Sequence, residues 1–273
     1  MKQAELDRIV QAAFAEDLPD ITSEAIFEPS DRGSARFLVK GEGVIAGLAV
    51  VETVFRTLDP TAAVELLVED GTRVQPGDIV ANVSASVIAL LSGERTALNL
   101  MQRSSGIATM TRRFVDAVAG TRAKIYDTRK TAPGLRALDK YAVVAGGGEN
   151  HRIGLHDMFL VKNNHIDRAG SIAAAAKRIR ARHMPQKLMI EVRDMLELDE
   201  ALAQNPDFIL LDNMNNDQLR EAVRRTNGRV PLEASGGITL ETVRGVAETG
   251  VDRISVGALT HSVTALDISM RIG

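Results

Sequence analysis

The chain has 273 residues, of which 45% are apolar and 25% charged, with a net charge of −3 and no cysteine. That length suits one large α/β barrel or two ordinary domains, and the balance is that of a soluble globular protein. The slight acidic excess argues against a general nucleic-acid binder, and 3% aromatic residues argue against base-stacking platforms.

Missing cysteines exclude disulfides, thiolate nucleophiles and Cys-based zinc or iron–sulfur sites. The start MKQAELDRIVQAAFAEDL carries early acids and a helical pattern, not a basic leader with a cleavage site. No uncharged apolar run approaches the roughly 20 residues that span a bilayer. The expectation is a cytoplasmic protein with no membrane segment and no nucleic-acid partner.

Leu6, Ile9, Val10, Ala13 and Phe14 fall on one helical face. SARFLVKGEGVIAGLAVVETVFRTL reads as a strand, a glycine turn, and a further strand or helix. AVELLVEDGTRVQPGDIVANVSAS alternates like strand, broken by the turn pairs Asp70-Gly71 and Pro76-Gly77. The first hundred or so residues therefore read as a small α+β unit. A long helix follows, with Ile107, Met110, Phe114 and Val118 near one stripe and Gly120 as its stop.

From there six apolar runs recur, AKIYDTRK, DMFLVKNNH, KLMIEVRD, DFILLDNMN, VPLEASGG and DRISVGALTHS, separated by helical patterns. In the last of these, TLETVRGVAETG, Thr239 reads as the N-cap and Gly250 lies beyond the end. Alternation at this spacing means parallel βαβ units, and six in one region favour a barrel over an open doubly wound sheet.

Barrel chemistry gathers at the C-terminal ends of strands. Those ends offer Asp127, Arg129 and Lys130; Lys162, Asn163 and His165; Glu191; Asp212 and Asn213; Glu233 and Ser235 before Gly236-Gly237; and Gly257. The segments ASGGI and SVGAL, at the last two strand ends, suit a phosphate held on backbone N–H groups, although each alone reads equally as a chain turn. Glu191 and Asp212 follow apolar residues, and burial is costly for an unpaired carboxylate. They read either as oxygen ligands for magnesium or sugar hydroxyls, or as salt-bridge partners.

Lys162 reads as a Schiff-base nucleophile, a cation for an anionic substrate, or a structural ion pair. His151 and His165 show no metal-ligand spacing. Gly146–Gly148 lacks the context of a dinucleotide fingerprint or P-loop and reads as a helix C-cap after LRALDKYAVVA. It swings Asn150, His151 and Arg152 back toward Arg129 and Lys130, converging cations on a polyanion. Arg95 and Arg103 carry no signal of their own beyond surface helix positions.

ERTALNLMQRSSGIATMTRRFVDAVAGT, DTRKTAPGLRALDKYAV, GGGENHRIGLHDMFLVKNNHI, FILLDNM, LEASGGI and GVDRISVGALTHS, in this order, closely resemble the quinolinate phosphoribosyltransferase family. The resemblance covers nearly the whole chain and is densest from Gly93 to Ser262. It implies an α/β fold of type II phosphoribosyltransferase architecture. An N-terminal α/β sandwich (1–103, with 266–273 returning to it) is joined to a C-terminal incomplete, TIM-like α/β barrel (104–265). It implies a homodimer, left open between that dimer and a hexamer built from it, in which one subunit's N-terminal domain closes the other's barrel mouth. The implied reaction joins quinolinate to 5-phosphoribosyl 1-pyrophosphate with magnesium, giving nicotinate mononucleotide, pyrophosphate and carbon dioxide.

By motif, the resemblance implies that Arg129, Lys130, His151, Arg152 and Lys162 form the quinolinate pocket, with Arg95 reaching in from the partner subunit. Lys130 lies between quinolinate and pyrophosphate, and Glu191 and Asp212 serve the ribose hydroxyls and magnesium. Lys130, Glu191 and Asp212 are the implied catalytic residues. The phosphoribosyl site comprises these with Lys162, Asn163 and His165, and with Ser235, Gly236, Gly237 and Gly257 around the 5′-phosphate. The family commonly has an acid at Asn163 and arginine at Val144. Competing readings are the related molybdenum-transport-associated family, which tends to lose the NHR…KxNH pattern, a Schiff-base aldolase, and a non-catalytic anion-binding protein.

Overall fold

A computed structural model describes residues 1–273. The first half of the chain forms α1 (Gln3–Asp17), α2 (Ile21–Ile26), β1 (Arg32–Val39), β2 (Gly43–Val44), α3 (Leu48–Leu58), β3 (Ala63–Leu66), β4 (Arg73–Val74), β5 (Ile79–Ser86), α4 (Val87–Ala117), β6 (Lys124–Tyr126) and α5 (Arg136–Ala145). Then come β7 (Phe159–Val161), α6 (Asn163–Ala169), α7 (Ile172–Arg180), β8 (Leu188–Val192), α8 (Met195–Ala203), β9 (Phe208–Asp212), α9 (Asn216–Thr226), β10 (Leu232–Ser235), α10 (Val243–Ala247), β11 (Arg253–Ser255), α11 (Ala258–His261) and β12 (Ile268–Ile272). Two compact units result. Unit 1 comprises Met1–Arg112, Thr131–Gly147 and Leu259–Gly273; unit 2 comprises Arg113–Lys130 and Gly148–Ala258.

Unit 1 is built on an antiparallel four-stranded sheet in the order β12-β1-β5-β3. The segment left open between strand and helix is the helix α3, whose Leu48, Val50, Val51, Val54 and Phe55 are buried. That is the apolar stripe of a helix packed against a sheet. Leu6, Ile9, Val10 and Phe14 of α1 join the same core, as do Ile268 and Met270 of β12. Ala13, on the same predicted face, is only half-buried.

Residues 131–147, placed by the sequence with the barrel, group with unit 1. Leu138 of α5 lies in the unit 1 core, and the Tyr141 hydroxyl donates to Asp70 at 2.5 Å. The buried Asp139 takes both a 2.9 Å and a 2.8 Å bond from Arg103. Arg103 is thus a bidentate structural clamp, not a surface residue. The expected boundary at 103/104 falls inside α4, which runs unbroken through it. The glycines after α5 act as its stop: Gly147 has a φ of 89°, where only glycine sits without strain.

Unit 2 holds six parallel strands in the order β6-β11-β10-β9-β8-β7. These are the six apolar runs of the sequence. All five residues of β8 are buried, as expected for a parallel strand covered on both faces. β6 and β7 are the two edges, so the strand circuit is open between them.

At the free edge of β6, Glu149 forms an isolated parallel bridge to Tyr126. The backbone bonds are Glu149 N–H to Ile125 at 2.8 Å and Asp127 N–H to Glu149 at 3.1 Å. One helix is shorter than the sequence pattern implies. Thr239 does not cap it; residues 239–242 form a turn in which Thr242 Oγ1 accepts from the Thr239 N–H at 2.9 Å, and the helix begins at Val243. No helix in the chain is long and apolar enough to cross a membrane.

Candidate active site

The C-terminal ends of the unit 2 strands gather its chemistry. After β6, the buried Asp127 turns its Oδ1 to accept the His151 backbone N–H at 2.8 Å. This bond and the Glu149 bridge fix the segment Asn150–Arg152 beside the end of β6. The triple glycine therefore delivers His151 and Arg152 to the strand that carries Arg129 and Lys130. His151 is buried, and its Nδ1 accepts the Arg152 N–H at 2.7 Å.

Three further charged groups bear on Arg152. Burial pushes the Arg152 guanidinium below its ordinary pKa, and the positive charge of Arg129 pushes it further; Asp157 and Glu191 pull the other way. The Arg129 charge thus bears on Arg152, and Asp157 and Glu191 offset part of its effect there. Arg152 Nη1 also donates to the Met158 carbonyl at 3.3 Å. Behind it, Asp157 accepts from the N–H groups of Ile153 and Gly154 at 2.6 and 3.0 Å. Burial opposes the charge on Asp157, but those backbone donors outweigh it and leave its pKa below the usual value.

At the end of β7, Lys162 caps α6, and its backbone N–H donates to His165 Nδ1 at 2.9 Å. The Lys162 ammonium lies 3.6 Å from Glu191 and about half its side chain (52%) is exposed. It is a rim cation beside a carboxylate and lacks the enclosed apolar setting that activates a Schiff-base lysine. Asn163 Oδ1 is enclosed without a hydrogen-bond partner. Glu191, at the end of β8, is buried, whereas Asp212, at the end of β9, is half-buried. Asp212 is in register with Ser235 of β10.

The Ser235-Gly236-Gly237 turn leaves both glycines exposed. Gly236 has a φ of 102°, and a Cβ there would meet Asn213 Oδ1 at 2.2 Å. Only glycine can bring this backbone so close to the end of β9. The short α10 starts well after the turn, so open amides rather than a helix N-terminus are what the turn presents. Gly257 follows β11 and is half-buried. Lys130 is exposed, with its N–H donating to Thr128 Oγ1 at 3.0 Å. Arg95 lies on α4 in unit 1 and is not one of the unit 2 residues.

Sequence reasoning passed over a second layer in unit 2. The Arg253 guanidinium lies 3.9 Å from the centre of the Tyr126 ring and 4.5 Å from that of Phe208. The Tyr126 hydroxyl donates to Glu149, which also takes Lys124 at 2.5 Å. Burial, reinforced by the Glu149 bond, pushes the Tyr126 phenol up to about 12. The signal was a charged residue opening an apolar strand, but its partners lie on strands distant in sequence.

Clustered cations, two strand-end carboxylates and a glycine turn with open amides, on a parallel sheet, define an α/β enzyme built to handle polyanionic substrates. The chain belongs to the quinolinate phosphoribosyltransferase family. Residues 20–105 match the family's N-terminal domain model and residues 107–271 its C-terminal domain model. It is 44% identical over 276 residues to a probable nicotinate-nucleotide pyrophosphorylase (carboxylating) of Bacillus subtilis, covering 100% of this chain and 95% of that one. It is 45% identical to the nicotinate-nucleotide pyrophosphorylase (carboxylating) of Mycobacterium leprae, covering 96% and 95%. Among solved structures, NadC from Streptococcus pyogenes superposes with a TM-score of 0.95 at 38% identity, covering 100% of this chain and 98% of that one.

Proposed function

We propose that the strand ends of unit 2 bind quinolinate and 5-phosphoribosyl 1-pyrophosphate side by side and join them. The activity is that of a pentosyltransferase: quinolinate phosphoribosyl transfer in de novo NAD biosynthesis. The observation that supports this reading of the pocket is that the Asp127–His151 bond and the Glu149 bridge hold Arg152 beside the β6 end that carries Arg129, whose charge lowers the Arg152 pKa. A pyridine dicarboxylate neutralises such a pair, and guanidinium forks suit its carboxylates.

In this reading Arg129, Arg152 and Lys162 face the two carboxylates, His151 backs the pocket, and Arg95 enters from a partner subunit of a homodimer. Lys130, exposed on the rim, neutralises the departing pyrophosphate, with His165 and Asn163 at the same end. Glu191 and Asp212 hold the ribose hydroxyls. The amides of Ser235, Gly236, Gly237 and Gly257 hold the 5′-phosphate.

Magnesium fits this donor set in one specific way. No group of three or more Asp, Glu or His residues is assembled to hold a metal ion unaided. Glu191 and Asp212 supply two carboxylates, and magnesium is commonly held by one or two carboxylates together with substrate phosphates. Bound there, it would neutralise pyrophosphate charge. The remaining chemistry belongs to the substrates and the fixed cations. The bond from the anomeric carbon to pyrophosphate lengthens, and the ribose gains cationic character that the neighbouring carboxylates stabilise. The pyridine nitrogen forms the new bond to that carbon and becomes cationic. Its charge draws the electron pair of the bond to the 2-carboxylate, carbon dioxide leaves, and the ring carbon takes a proton from solvent.

The test is direct. Purified protein, quinolinate, 5-phosphoribosyl 1-pyrophosphate and magnesium are expected to give nicotinate mononucleotide and one carbon dioxide per turnover; their absence refutes the reading. Nicotinate in place of quinolinate is expected to fail, because it lacks the second carboxylate that the paired guanidiniums require. Chelation of magnesium is expected to slow turnover and leave the fold intact by circular dichroism. Cytoplasmic residence is part of the same proposal.

A further inference from the structure

We infer that Glu233 is the positioning residue for His151 and, through it, for Arg152; the inference rests on the quinolinate reading above. Glu233 sits within β10 with no exposed surface, and neither of its carboxylate oxygens has a hydrogen bond of normal geometry. Two groups face it at longer range: His151 Nε2 is 3.3 Å from Oε1, and Arg253 Nε is 3.5 Å from Oε2. A buried carboxylate so loosely satisfied is a poor source of stability, and an apolar residue would suit the strand better. Its presence fits a role in orientation.

The arrangement around it is directional. Arg253 lies over both the Tyr126 and the Phe208 ring, and it supplies a counter-charge on the Oε2 side of Glu233. The other oxygen is left to His151. That histidine is held at its backbone N–H by Asp127, and its Nδ1 accepts from the Arg152 N–H. With Nδ1 an acceptor, the neutral ring carries its proton on Nε2, which lies 3.3 Å from Glu233 Oε1. Both ring nitrogens therefore face protein groups, Nδ1 the Arg152 N–H and Nε2 the Glu233 carboxylate, and His151 acts on substrate by fixing where the Arg152 backbone, and hence its guanidinium, starts. A carboxylate that orients a histidine is a familiar device wherever ring orientation matters.

Steady-state kinetics of E233A and E233Q, varying quinolinate and 5-phosphoribosyl 1-pyrophosphate separately, test this. E233A is expected to raise the KM for quinolinate about tenfold, the effect of losing the one buried charged contact that orients His151, and to leave the other KM within about twofold. E233Q keeps an acceptor oxygen, so its quinolinate KM is expected to rise only about threefold. Combining E233A with H151A is expected to add little to either single change, since both break one link. A merely structural role would lower the melting temperature or the fraction of active enzyme without separating the two KM values. A parental quinolinate KM in E233A, or an equal rise in both KM values, overturns the inference. Should E233A fail to fold, a parental quinolinate KM in E233Q overturns it. Absence of turnover in the parent protein would instead refute the quinolinate reading itself.

Discussion

Gly236 and Gly237 permit a matched pair of alanine substitutions in one turn. Both have positive φ, 102° and 60°, but their surroundings differ. A Cβ on Gly236 would lie 2.2 Å from Asn213 Oδ1, 2.6 Å from its Cγ and 3.1 Å from its backbone N, whereas nothing lies within 4 Å of a Cβ on Gly237. Gly237→Ala enters the left-handed region that non-glycine residues can occupy, at a cost of about 1 kcal/mol.

Gly236→Ala adds a worse backbone conformation and forces the Asn213 side chain aside, so about 2–4 kcal/mol is expected. The backbone N of Asn213 cannot retreat easily, because it donates to the Ser235 carbonyl at 2.8 Å. Since the turn is exposed, much of the strain is relieved by displacing the Ser235–Gly237 amides. Gly236→Ala is therefore expected to raise the KM for 5-phosphoribosyl 1-pyrophosphate by about tenfold or more, against about threefold or less for Gly237→Ala. Thermal unfolding should fall by about 2–4 °C per kcal/mol of strain not relieved. Equal effects of the two substitutions, or a larger one at Gly237, would refute the reasoning, because the chemistry of the change is the same and only the space differs.

Further outcomes follow from the same geometry. Arg152→Ala removes one of two mutually repelling cations along with a 3.3 Å bond to Met158, so stability should stay within about 1 kcal/mol of the parent. Its kcat/KM for quinolinate should fall by about 100-fold or more, and loss of stability without loss of quinolinate use would count against the pocket. Lys130→Ala should cut turnover heavily with an unchanged circular dichroism spectrum; near-normal turnover removes its assigned role.

Tyr126→Phe tests the second layer by pH. The phenol's folded pKa is raised from 10.0 to about 12, so its contribution to stability is complete below pH 10 and is lost as pH climbs toward 12. The variant should show a shallower decline of stability across that window, measured by urea unfolding; identical slopes would show that the phenol titrates alike in both states. Borohydride with a carbonyl substrate is expected to trap nothing on Lys162, as its half-exposed position beside Glu191 predicts.

Much of unit 2 is legible in the sequence because its pattern is local. Six short apolar runs end in polar groups, and parallel strands buried on both faces leave that signature whatever surrounds them. The strand-end residues could therefore be collected into one set before any geometry was known. What escaped depends on register between distant segments.

Glu233 reads as one more strand-end acid, and only the pairing of β10 with β11 sets it opposite Arg253. Glu149 reads as a residue after a glycine stop, yet its pairing with β6 fixes the address of His151. The destination of residues 131–147 was hidden for the same reason, since the Arg103–Asp139 clamp joins two helices that nothing local connects. The start of α10 is not legible at Thr239, because it is set by the Thr239–Thr242 turn, which the sequence does not spell out.

The open seam between β6 and β7 has a consequence for how this site can change over generations. A closed ring couples every stave to every other, so lengthening one loop disturbs the whole hoop. Here the segment from Gly148 to Met158 is tied to one lip of the gap by the Glu149 bridge and the Asp127–His151 bond, and no strand pairs with the far lip. Insertions or exchanges in that span can reshape what the pocket accepts while the hydrogen-bonded staves, and the carboxylates and glycines they carry, keep their positions.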